Sequence, residues 1–126
     1  MDELVERLKA QLGVDEGTAR ALVVIVIRFL GREAPPEALE PLFAVHPWAQ
    51  ALAAEGPDDE APALGDRHFG GMAKLIRVAD AMMAHGLTMP QVQSAVRDIV
   101  GYARETVGAE PVDRLVRAVP GLRQVV

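Results

Sequence analysis

The sequence predicts an all-α fold, a compact bundle of about six to eight helices made of two similar helical units. Apolar residues recur at i, i+3, i+4 and i+7 through most of the chain, the spacing of one helix face. Glycine and proline fall where such stretches stop and restart. The caps, breakers and apolar positions of the first half return in the second at a fixed offset of 73 residues.

The first helix runs from Asp2 to about Leu12, with Leu4, Val5, Leu8 and Leu12 on one face, and Gly13 ends it as a residue free to turn left-handed. Asp15 is a good N-cap for a second helix, with Glu16 at its positive end. That helix reaches Arg32 or Glu33, because Pro35-Pro36 cannot continue it. A short helix from Glu37 to Ala44, a turn at His46-Pro47 and a segment from Trp48 to Ala53 complete unit one, residues 1–54. Residues 55–71 combine Gly56, Pro57, Pro62, Gly70 and Gly71 with five acids, and read as an acidic linker. In unit two, residues 72–126, a helix from Met72 to about His85 ends at Gly86. Thr88 caps the next, with Pro90 in its first turn, and Gly108 stops it near Val107. Glu110 to Ala118 and a last turn from Leu122 to Val126 close the chain.

The ungapped shift of 73 pairs Gly13 with Gly86, Asp15 with Thr88, Glu37 with Glu110, Leu42 with Leu115 and Pro47 with Pro120. It also lays Ala19, Leu22, Val23, Val26, Ile27 and Leu30 on Val92, Ala95, Val96, Ile99, Val100 and Ala103. The run Leu22 to Ile27 taken alone has the composition of a buried strand, but its counterpart is amphipathic with a 3.6-residue period, so both are expected to be helices. Glu16/Arg20, Glu110/Arg114 and Asp113/Arg117 place an acid four residues before a base, which supports a helix.

The Leu-Gly-Val-Asp of residues 12–15, followed by a long apolar helix, a short helix and an x-Pro turn, resembles a bacterial family known as domain of unknown function twenty-two sixty-seven. Val119-Pro120-Gly121-Leu122 is similar to a related uncharacterised family. The resemblance implies a helical fold in a bacterial protein and carries no catalytic residue with it.

The chain has 13 basic and 18 acidic residues, and five of the acids and one base lie between Glu55 and His68, so the rest is nearly neutral. No basic stripe of the kind that releases counterions from phosphates is present, and nucleic-acid binding is not expected. The longest apolar run, Ala21 to Ile27, is far short of the roughly 20 residues of a membrane span, so no membrane partner is expected. The acidic, amphipathic start lacks the pattern of a secretion signal and there is no cysteine, which together point to the cytoplasm.

No cofactor is expected. His46, His68 and His85 lack paired metal-ligand spacing, His46 reading as a turn residue and His85 as a helix-end residue. Asp58-Asp59-Glu60 lacks the order of a calcium loop, and Gly70-Gly71-Met72-Ala73-Lys74 lacks phosphate-loop spacing. Ser94 lies mid-helix without a base near it, and Asp80 and Asp98 are the acids that read as buried.

The two halves differ in one instructive way. Ser94, Arg97 and Asp98 make a polar back on the second long helix, where the first has Ala21, Val24 and Ile25, joined by Phe29. This second apolar stripe requires a cover, either a segment of the same chain or an interface with a second copy or a partner protein. Trp48, Met72, Met82 and Met83 are the residues expected to line an adaptable apolar pocket between the units. The sequence therefore points first to a non-catalytic interaction or homodimeric assembly module, then to a bundle binding a small apolar ligand, and last to an enzyme of unrecognised type.

Overall fold

The computed structural model describes residues 2–55, 78–119 and Leu122. These are helical throughout apart from caps and turns: α1 Asp2–Leu12, α2 Glu16–Glu33, α3 Pro36–Val45, α4 Pro47–Glu55, α5 Met89–Thr106 and α6 Ala109–Ala118, with a further helical stretch at 78–83. The rest of the predicted linker, residues 72–77 and the last turn beyond Leu122 lie outside the described residues. No helix among the described residues is long and apolar enough to cross a membrane.

Local chemistry sets the helix ends where the sequence places them. Gly13 and Gly86 take positive φ, +68° and +93°, a region other residues rarely enter. Asp15 then accepts a hydrogen bond from the Thr18 N–H at 2.7 Å, and Thr88 closes a reciprocal capping box with Gln91. The Thr18 N–H also holds the Asp15 carboxyl below the usual carboxylate range.

The offset of 73 recurs in these bounds. It carries α2 onto α5, each of 18 residues, and α3 onto α6, each of 10. It also carries the bond from the Ala49 N–H to the His46 carbonyl (2.9 Å) onto that from Leu122 to Val119 (3.2 Å).

α2 is the central helix, packed against α1, α3, α4 and α5, while α5 and α3 both pack on α6. Its buried residues are Ala19, Leu22, Val23, Val26, Ile27, Phe29 and Leu30. Glu16 meets Arg20 (3.1 Å) and Glu110 meets Arg114 (3.5 Å) as spaced. Asp113, expected to face Arg117, instead reaches Arg104 of α5 at 2.6 Å, because the α5–α6 turn brings the longer side chain of a neighbouring helix to it.

The tightest crossing is α2 on α4. A Cβ added at Gly31 would stand 2.8 Å from the Cβ of Ala53, well inside the roughly 3.5–4.0 Å at which carbons attract. At Gly101 of α5 an added Cβ meets nothing within 4 Å. Gly31→Ala is therefore expected to destabilise the fold by about 1–3 kcal/mol through overpacking. Gly101→Ala is expected to stabilise it by about 0.5–1 kcal/mol, the ordinary helical preference for alanine. Urea denaturation of the two variants checks both signs.

Candidate functional site

Among the described residues an apolar cavity of about 30 Å³ borders the core. Three pairs of residues related by the 73-residue offset line it: Ile27 and Val100, Leu30 and Ala103, Leu42 and Leu115. It holds little more than a pair of waters and is far below the roughly 150 Å³ that admits a benzene. No methionine lines it among the described residues. Of the expected pocket residues, Trp48 lies on its wall, Met82 is fully buried in the core, Met83 is half-buried, and Met72 lies outside the described residues.

The expected stripe on α2 divides. Phe29 is seated in the core at 2% exposure, whereas Ala21, Val24 and Ile25 remain half-buried. On α5, Ser94 and Asp98 are half-buried and Arg97 is exposed. One Asp98 carboxylate oxygen is buried without a hydrogen bond among the described residues, and burial pushes this carboxyl up while Arg7 pulls it down. Asp80 is exposed, not buried, because its position faces away from the core that Val78 and Met82 enter. His85 is exposed on the turn after 78–83, and His68, Asp58-Asp59-Glu60 and Gly70 to Lys74 lie outside the described residues.

His46 departs most from its expectation. It does occupy the turn after α3, as its C-cap, but its side chain is buried, the residue being 7% exposed. The ring lies 5.3 Å from that of Trp48 and 5.5 Å from that of Tyr102, and it helps line the cavity. Its Nε2 is 2.7 Å from the Thr106 hydroxyl at the end of α5. That hydroxyl has its own acceptor in the Tyr102 carbonyl at 3.0 Å, so its oxygen is free to accept from a protonated Nε2. The one signal for this site in the sequence is the offset, which pairs His46 with Val119, a buried apolar residue. Thr106 carried no signal at all.

Around the cluster, the Arg7 guanidinium of α1 lies over the Tyr102 ring at 5.6 Å and donates to Glu105 at 2.6 Å. Burial, helped by Glu3, pushes the Tyr102 phenol up. Burial lowers the His46 imidazole, and the amino-terminal charge adds to this, while Glu3 opposes it. Among the described residues, no group of three His, Cys, Asp or Glu side chains is placed to hold a metal ion. Comparison with protein-family models, with curated proteins and with solved structures finds no match for this chain.

The sign of the pH dependence follows from burial. Because His46 is lowered from 6.5 in the fold, the unfolded chain binds more protons in the window just below 6.5. Its contribution to stability is full above 6.5 and is lost as the pH falls through that window. Asp98, raised from 3.8, acts oppositely: its contribution favours the fold below 3.8 and disappears as the pH rises through its folded value. The melting temperature is expected to fall on acidification from about pH 8 to about pH 5, the range of histidine titration. His46→Gln is expected to flatten that slope; calorimetry of the two proteins across this range checks it, and equal slopes refute the assignment to His46.

Proposed function

We propose that this chain is a non-catalytic helical module whose work is contact with another protein, and first of all with a second copy of itself. The observation that carries this is the half-buried row Ala21, Val24 and Ile25 on a helix whose other apolar residues are seated in the core. Val and Ile gain roughly 1.5–3 kcal/mol each on full burial, and at most about a third of that remains to be had from Val24 and Ile25. A two-fold pairing, the commonest closed assembly, would bring the same row together from both chains. The small apolar cavity and the exposed ion pairs support contact rather than chemistry as the module's task.

The coincidence of helix bounds at the 73-residue offset supports a two-unit origin for the fold, with one unit's long helix keeping a polar back and the other's turned to contact. The pattern from Leu12 to Pro47 supports kinship with the bacterial family of unknown function, and a chain without cysteine suits the reducing cytoplasm.

Light scattering of the wild type beside Ile25→Asp, which copies Asp98, tests the proposal. The expected result is a wild-type dimer at micromolar concentration and a monomeric variant with unchanged helical circular dichroism. A monomeric wild type whose variant unfolds would make the row part of the core and overturn it.

A further inference from the structure

The joint between α3 and α4 is a single residue: Val45 ends one helix, Pro47 begins the next, and His46 stands between them. Its side chain is buried against Trp48 of α4 and Tyr102 of α5, and its Nε2 reaches Thr106 at the end of α5, so the ring ties the joint to both helices. At the offset position the same C-cap role is filled by Val119, whose buried side chain asks for nothing from solvent. The geometry of the turn therefore does not require an imidazole. What the imidazole adds is a proton-dependent demand: neutral, it is satisfied by Thr106, but charged, it is held out of water between the rings of Trp48 and Tyr102.

We propose that His46 is an acid-sensitive latch, which holds the α3–α4 elbow on the end of α5 while neutral and releases it on protonation. Release opens the apolar cavity on the side walled by His46, Trp48 and Tyr102. The charges facing the ring leave it as the group that moves. Arg7 is engaged with Glu105 and Tyr102, and the Tyr102 phenol, pushed up, stays neutral from acid to neutral pH. Glu3 on α1 is the carboxylate that favours the charged ring, opposing burial and the amino-terminal charge. Asp98, one turn before Tyr102, is raised by burial and pulled down by Arg7, and the Arg104–Asp113 pair ties α5 to α6. α4 brings Trp48, which carries no charge.

Trp48 is the chain's one tryptophan, so its quenching by acrylamide follows the elbow directly. The wild type is titrated from about pH 8 to about pH 5 with the His46 ring followed by NMR. The expected result is a ring midpoint below 6.5 and a rise in Trp48 quenching at the same midpoint. In His46→Gln, whose amide still donates to Thr106 but does not titrate, that rise is expected to be absent. A rise in His46→Gln like the wild type's overturns the latch, as does a wild-type ring that titrates with Trp48 unchanged. If the glutamine chain does not fold, His46→Val, which copies residue 119, is read the same way. The two wild-type midpoints remain decisive in either case, since unequal midpoints overturn the proposal.

Discussion

A helix with one apolar stripe can lie on a surface, but α2 cannot. Its buried residues, from Ala19 through Leu22, Val23, Val26 and Ile27 to Phe29 and Leu30, occupy too much of its circumference for any single neighbour to cover. The described arrangement follows from that constraint. α1, α3, α4 and α5 are each drawn against α2, and the close approach of α4 exists because Gly31 presents no side chain where Ala53 sits. α6 needs no contact of that kind, since α3 and α5 supply its partners. The strongly apolar helix thus fixes the places of its neighbours, and ion pairs such as Arg7–Glu105 and Arg20–Asp2, half-exposed to solvent, add little beyond trimming the outer faces.

Helix positions are legible in the sequence because their determinants are local. A glycine that must turn left-handed, a side chain that caps an N-terminus and a proline that ends a hydrogen-bond ladder act within four residues of themselves. The bounds of α2 and α5 agree with such signals to within a residue or two. Partnerships across the fold are less legible, because periodicity says which face of a helix is apolar and not which element lies against it. Asp113 illustrates this: its spacing to Arg117 is favourable on one helix, yet Arg104 of the neighbouring helix takes it. Phe29 does so too, continuing the row of Ala21, Val24 and Ile25 in sequence but turning into the core where that row stays half-buried.

The site around His46 was hidden for a related reason. A histidine beside a proline has the signature of an exposed turn, and nothing nearby in sequence announces Tyr102 or Thr106, which lie far along the chain and reach it only through the fold. The comparison that exposes it is between halves. The residue 73 positions on is Val119, buried at 2% exposure in the corresponding C-cap. A position that one half fills with valine and the other with an imidazole is an apolar position holding a titratable group.

That placement also bears on the cavity. Six of its fourteen wall residues correspond between halves, such as Ile27 with Val100 and Leu42 with Leu115, and that part of the wall is close to self-complementary. His46, Trp48 and Tyr102 stand at positions matched by Val119, Gly121 and Phe29, so bulk and polarity collect on one side of the space. The unfilled volume beside them is the steric counterpart of the same asymmetry that buries an imidazole at the elbow.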